Sequence, residues 1–146
     1  MGRDTTTGSS YEAIIEMCIK RSCEKNNMMA HDQVTVGDKP GGGKHRVDWE
    51  LISKSNDNLR GLISCKYQGV SGTAEEKIAY EVIKLLHAMK TDTRYSKGWI
   101  IMGGEGWSKG MREFVNVHLK EWIPAMNSRV SILTTDQLIS TDLSLD

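Results

Sequence analysis

The sequence is poor in cysteine, and the few cysteines it has exclude several classes of small protein. Cys18, Cys23 and Cys65 are the only three in 146 residues. Their irregular spacing fits neither a disulfide framework nor the paired motifs of zinc sites. Free thiols are typical of reducing compartments, so we expect an intracellular, cytoplasmic protein.

Long hydrophobic runs are also lacking. No stretch approaches the ~20 consecutive apolar residues of a membrane-spanning helix. Residues 1–10 are polar and lack the apolar core of a signal peptide. We therefore expect a protein with no membrane partner.

The sequence has no excess of either charge. Lys and Arg together number 19 and Asp and Glu together number 19, so the whole chain exerts no net attraction on nucleic acid. A surface that binds DNA must then come from segregated charge. Hydrophobic residues at 38% and charged residues at 26% are ordinary for a globular protein. The length predicts one domain over residues 1–146.

Two segments of alternating polarity, residues 44–51 and 62–68, form the most informative part of the chain. They predict a β-hairpin, in which side chains two residues apart share a face. The first strand has three polar side chains on one face: Arg46, Asp48 and Glu50. The second strand has another three: Ser64, Lys66 and Gln68. If these faces lie together, carboxylates and an ammonium group meet at one end of a sheet.

The rest of the chain predicts helices and strands in alternation. Periodicity and capping residues indicate helices over residues 9–25, 73–90 and 108–122, and a short last helix capped by Thr134 and Gln137. Strands are expected near residues 34–36 and over residues 45–52, 60–68, 98–103 and 129–133. The order is α-β-β-β-α-β followed by α-β-α. It predicts an α/β fold with a mixed β-sheet flanked by helices on both faces.

Asp48 and Lys66 are the first candidates for chemistry. Magnesium prefers hard oxygen ligands, usually one or two carboxylates with water and phosphate. Asp48, in the middle of a strand, fits such a ligand. An ammonium group at Lys66 could position a water and neutralise charge that develops on phosphorus. The alternative is an exposed cross-strand ion pair, which contributes only ~0–1 kcal/mol to stability.

These residues resemble the motif of the PD-(D/E)xK nuclease superfamily, whose core is restriction-endonuclease-like. Asp48 lies in one strand, the triplet Ser64-Cys65-Lys66 lies in the next, and a capped helix follows. The order of elements from Ser9 to Gly103 is similar to that core. The resemblance implies a metal-dependent endonuclease that hydrolyses phosphodiester bonds of double-stranded DNA. Mg²⁺ is the implied cofactor, with Mn²⁺ as a substitute.

The chain departs from the family pattern at two positions. Val47 stands where a proline usually precedes the aspartate, and Ser64 stands where the second acid is usual. Restriction enzymes of this superfamily with a Ser-x-Lys triplet take the missing carboxylate from the following helix. The resemblance therefore implies that a glutamate of this helix is the replacement ligand. Glu81 is the first candidate and Glu75 is the second.

Three further residues have both a functional and a structural interpretation. Glu50 is either a neighbouring metal ligand or a surface acid. Glu12 is either an extra carboxylate near the metal or the partner of Ser9 in a helix-capping box. Gln68 either orients water and phosphate or hydrogen-bonds a loop.

Basic residues near loops and helix starts are the candidates for DNA contacts. A glycine-rich turn at residues 41–43 permits close approach to a phosphate backbone, although a flexible hairpin tip explains it equally well. The candidates are Lys39, Lys44, Arg46, Lys77, Lys109 and Arg112.

The resemblance includes restriction enzymes and homing endonucleases, so we expect site-specific cleavage by an enzyme of the kind that phages and mobile elements encode. Cutting both strands with one active site per chain favours a symmetric homodimer or a higher homo-oligomer. Three alternatives remain. One is a structure-selective nuclease such as a Holliday-junction resolvase. Another is a DNA-binding module that has lost catalysis, for which Ser64 is the supporting feature. The third is a purely structural α/β protein, in which Lys66→Ala and Asp48→Ala would leave every DNA-related property unchanged.

Overall fold

A computed structural model describes residues 2–68, 77–104 and 106–146. The helices are α1 (Gly2–Asn26), α2 (Ile78–Thr91), α3 (Lys109–Glu113), α4 (Leu119–Trp122) and α5 (Thr135–Ile139). The strands are β1 (Met28–Asp38), β2 (Lys44–Ser53), β3 (Arg60–Tyr67), β4 (Tyr95–Gly103) and β5 (Val130–Thr134). A π-helical segment, Phe114–His118, joins α3 to α4, and a 3₁₀ turn, Pro124–Met126, follows α4.

The strands form one five-stranded mixed sheet in the order β1-β2-β3-β4-β5. β1, β2 and β3 pair antiparallel, whereas β3, β4 and β5 pair parallel. Parallel neighbours need a crossover connection, which α2 provides between β3 and β4. The predicted fold class, a mixed sheet flanked by helices, is confirmed.

Two hydrophobic cores lie on the two faces of the sheet. The core on the α1 face contains Ile15 and Ile19 of α1 with Leu138 of α5. The core on the α2 face contains Leu85 of α2 with Leu119 of α4. Consecutive residues of β4 enter different cores, which explains why residues 98–103 read as a continuous apolar run.

The alternation along β2 is interrupted at Asp48. Val47 packs in the α2-face core, whereas Trp49, two residues later, packs against the α1-face core. Opposite them in β1, Gln33 has a positive φ of 51°, which breaks the regular extended backbone. The prediction that Arg46, Asp48 and Glu50 share one face is therefore wrong. Asp48 lines a cleft beside α1, and Glu50 turns to Tyr95 in the α2-face core.

Helix ends agree with the predictions in one case and differ in another. Thr134 and Gln137 form the predicted capping box at the start of α5, with Gln137 N donating to Thr134 Oγ1 at 3.2 Å. Ser9 and Glu12 do not cap α1, because that helix begins at Gly2. The cap predicted at residues 73–76 lies outside the described residues.

Candidate active site

A buried carboxylate, Glu81, is the centre of a polar cluster between β3 and α2. Ser64 Oγ donates to Glu81 Oε2 at 2.9 Å. Lys66 Nζ lies 3.0 Å from Glu81 Oε1. Ser64 and Lys66 are two residues apart in β3 and so share the face that meets the first turn of α2. The helix thus brings a carboxylate to the position beside the Ser-x-Lys triplet.

Glu81 is 3% exposed, yet its surroundings keep it ionised. Burial alone would raise the pKa of this carboxyl group. The charge of Lys66 and hydrogen bonds from Lys66, Lys84 and Ser64 outweigh burial and hold the pKa below its usual range. The cluster therefore presents a carboxylate, a form that can accept hydrogen bonds or bind a cation.

Asp48 reaches the same triplet from the α1 side. Its Oδ2 accepts a hydrogen bond from the backbone N–H of Cys65 at 2.7 Å. The carboxylate lines a cleft of about 390 Å³ together with Glu12, Tyr11 and Cys65. Asp48 and Glu81 therefore both contact the Ser64–Lys66 triplet, one through the backbone and the other through side chains.

The thiol and the phenol in this cleft are neutral groups. Burial, with the nearby charge of Asp48, raises the pKa of the Cys65 thiol to about 12. Burial also raises the pKa of Tyr11 above its usual range, and its hydroxyl donates to Ile101 O at 3.0 Å. Cys65 is therefore not a thiolate nucleophile. The negative charge of the cleft comes from its carboxylates.

The donors at this site suit a hard divalent cation better than zinc. Asp48 and Glu81 offer carboxylate oxygens, and the only thiol at the site, Cys65, is protonated. Across residues 2–68, 77–104 and 106–146, no group of three His, Cys, Asp or Glu side chains is arranged to hold a metal ion. Magnesium commonly takes one or two carboxylates and completes its shell with water and phosphate, so these oxygens are donors of the kind it binds. Asp48 offers them in the cleft on the α1 side, and Glu81 offers them in the cluster beside α2.

Two of the other candidate residues have structural partners, and a third lies outside the described part of the chain. Glu50 is 6% exposed and is held by the hydroxyl of Tyr95 and by Arg60, so its carboxylate does not join the cluster. Gln68 Nε2 donates to Gly106 O at 2.9 Å, which ties β3 to the loop after β4. Glu75 lies outside the described residues.

The basic candidates lie on several elements. Lys39 begins a tight turn in which its N–H donates to Gly43 O at 2.8 Å, so this part of the glycine-rich loop has a defined structure. Arg112 lines a cavity of about 680 Å³ with Met102 and Thr134, at the carboxyl ends of β4 and β5. Lys44 and Arg46 of β2, Lys77 before α2 and Lys109 of α3 are exposed.

Lys84 is the functional candidate that sequence reasoning missed. Its Nζ lies 3.0 Å from Glu81 Oε1, the same oxygen that Lys66 contacts. The signal was available, since side chains three residues apart on a helix are neighbours.

Fold and site together define an α/β protein in which a strand aspartate contacts the backbone of a Ser-x-Lys triplet and a helix glutamate contacts the serine and lysine side chains of that triplet. A family model described as a PD-(D/E)XK nuclease superfamily domain matches residues 6–142. The chain belongs to this superfamily, as its motif predicted, and membership indicates a nuclease. Nucleases of this superfamily typically use divalent metals.

A comparison with curated proteins gives no match. None of the helices in the described part of the chain has the length and apolar character needed to cross a membrane.

Proposed function

We propose that this protein is a Mg²⁺-dependent endonuclease that hydrolyses phosphodiester bonds of double-stranded DNA at specific sites, in the manner of restriction or homing enzymes. Mn²⁺ would substitute for Mg²⁺. The supporting observation is the position of Glu81, which α2 brings within hydrogen-bonding distance of Ser64 and Lys66. In this proposal, the carboxylate missing from β3 comes from the next helix.

Asp48 and Glu81 are the residues that would hold the metal ion. When bound, Mg²⁺ or Mn²⁺ lowers the pKa of a coordinated water and neutralises charge on the phosphate. Lys66 would place its ammonium group against the scissile phosphate or the attacking water. Glu12, in the cleft with Asp48, would add negative charge on the metal side.

The proposal includes the oligomeric state of the enzyme and the compartment in which it acts. One active site per chain cuts one strand, so cleavage of both strands favours a symmetric homodimer. The cysteines Cys18, Cys23 and Cys65 are free thiols, which supports activity in the reducing cytoplasm.

Cleavage of plasmid DNA tests the proposal. We expect the parent protein to cut supercoiled plasmid with Mg²⁺ or Mn²⁺ and to stop when EDTA removes the metal. Asp48→Ala, Lys66→Ala and Glu81→Gln should each lower cleavage by at least about 100-fold, because each removes a group that acts on the transition state. Circular dichroism should show that the variants remain folded. Glu113→Gln, at an exposed position of α3, is the matched control and should cut like the parent.

The ends of the cleaved fragments identify the kind of nuclease. One recurrent junction in digests of random-sequence DNA would support a site-specific enzyme, whereas ends gathered at branch points would indicate a structure-selective one. A parent protein that binds DNA but cuts none with either metal would contradict the proposal. That result would favour a binding module without catalysis, consistent with Ser64 at the position of the usual acid.

A further inference from the structure

Two ammonium groups contact the single carboxylate of Glu81, which is one more than its charge requires. Lys66 and Lys84 each place Nζ 3.0 Å from Oε1, and Ser64 donates to Oε2. One carboxylate with two ammonium groups leaves a surplus of one positive charge. In a largely buried cluster this surplus is unfavourable, because the two cations repel each other.

The position of Lys84 differs from that of an ordinary surface ion pair. Its side chain is 17% exposed and that of Glu81 is 4% exposed. The Lys84 ammonium also lies 5.4 Å from the ring centre of Tyr80, a cation–π contact on the same helix. The pair is therefore held by packing as well as by charge.

Both partners of this pair belong to α2. The Lys84–Glu81 contact spans three residues of one helix, so it does not depend on the position of β3. Lys66, in contrast, reaches Glu81 from another element. If Lys66 turned away in the metal-free protein without Lys84 present, Glu81 would remain as a buried charge with no cation, which is strongly unfavourable.

From this geometry we propose that Lys84 is a positioning residue that neutralises Glu81 and so releases Lys66 to contact the scissile phosphate. The inference rests on the proposed nuclease function. In the substrate-free protein both lysines share the carboxylate. When DNA binds, Lys84 stays with Glu81 while Lys66 moves to the phosphate.

A double-mutant cycle tests the shared neutralisation without DNA. Lys66→Met and Lys84→Met should each change the melting temperature little, because the other lysine still neutralises Glu81 and the repulsion between the two cations is removed. The double variant should lose clearly more than the sum of the two single losses. A control cycle combines Lys66→Met with Lys90→Met in place of Lys84→Met. Lys90 is exposed in the last turn of α2, so the two losses of stability should be additive. Additive losses in both cycles would overturn the inference.

Steady-state cleavage tests the role in turnover. Lys84→Met should lower kcat about 10- to 100-fold, the usual effect of losing a residue that supports a catalytic group. KM for DNA should change little, and Lys84→Arg should recover most of the rate because it restores the cation. Lys84→Met that turns over like the parent would overturn the inference even if the stability cycle is non-additive. A parent protein that cuts no DNA would instead overturn the proposed function, and the stability cycle would still decide whether the two lysines share Glu81.

Discussion

His45 shows how a single residue near the candidate site can control stability. It is 1% exposed, and within the described residues neither of its ring nitrogens has a hydrogen-bond partner. Burial and the nearby charge of Lys84 lower its pKa, while Glu81 partly opposes them. The folded protein therefore prefers the neutral imidazole.

This preference predicts a loss of stability in mild acid. The unfolded chain binds a proton at His45 as pH falls through ~6.5, whereas the folded protein does so only at lower pH. Between those two values the parent should lose up to ~1.4 kcal/mol of unfolding free energy per pH unit from this group. Urea unfolding at pH 7.5, 6.5 and 5.5 measures the slope, which should be shallower in His45→Gln.

His31→Gln provides the control for this measurement. His31 lies at an exposed position of β1, so its replacement should leave the slope of the parent unchanged. Equal slopes in His45→Gln and the parent would contradict the prediction.

The residues of the site were only partly predictable from the sequence. The spacing of Ser64 and Lys66 placed them on one face of a strand, and the resemblance to Ser-x-Lys nucleases pointed to Glu81; the structure brings all three into contact. The orientation of Asp48 was not predictable in this way. It depends on a break in strand alternation opposite Gln33, and nothing in the local polarity pattern marks that break.

A tight turn at Gly104, in the loop after β4, brings the backbone of that loop against Gln68 at the end of β3. Gly104 has φ of 85°, and a Cβ added there would lie 2.3 Å from the backbone oxygen of Gln68. Gln68 also hydrogen-bonds Gly103 O and Gly106 in the same loop. The close approach of two backbones therefore requires glycine at this position.

Alanine substitutions at Gly104 and Gly110 should have opposite effects on the unfolding free energy. Gly104→Ala should lower the unfolding free energy by about 1–3 kcal/mol, because it combines a strained backbone with a steric clash. Gly110→Ala, in the first turn of α3 with open space around its Cα, should raise it by about 0.5 kcal/mol through better helix propensity. Denaturant unfolding measures both, and a destabilising Gly110→Ala or a neutral Gly104→Ala would contradict this account.

Element boundaries were predictable where capping residues were present, as at Thr134 and Gln137 of α5. The helical region from Lys109 to Trp122 was predicted as continuous, but it contains the π-helical segment Phe114–His118. Hydrophobic periodicity does not distinguish a few residues of wider helix from an α-helix, so this feature could not be read from the sequence.

The charge of the whole molecule determines how DNA binding should respond to salt. Formal net charge is zero, so any affinity for DNA must come from local positive groups. Arg112, beside the cavity at the ends of β4 and β5, is one candidate. Lysine and arginine side chains that bind phosphates release counterions from the DNA, so binding weakens as the salt concentration rises. A salt titration therefore reports the number of phosphates in contact.

We expect the logarithm of the DNA-binding constant to fall linearly with the logarithm of salt concentration. Arg112→Gln should reduce the slope by about 1 if this side chain contacts one phosphate. Fluorescence anisotropy with a labelled duplex gives both slopes. Arg94→Gln is the control, because Arg94 already pairs with Asp92 at 2.7 Å and should leave the slope unchanged. A flat response in the parent protein would argue against a DNA substrate.

Strand order in this sheet follows the order of the strands in the chain. As the protein is synthesised, every new strand therefore finds its pairing partner already made, and no strand has to insert between two earlier ones. The α1-face core is completed by residues far apart in the chain. Leu143 packs there, and its backbone N–H donates to Ser22 Oγ, 121 positions away. Contacts between such distant positions form slowly. The strands can therefore pair in the order in which they are made, whereas the α1-face core is completed only when Leu143 reaches Ser22.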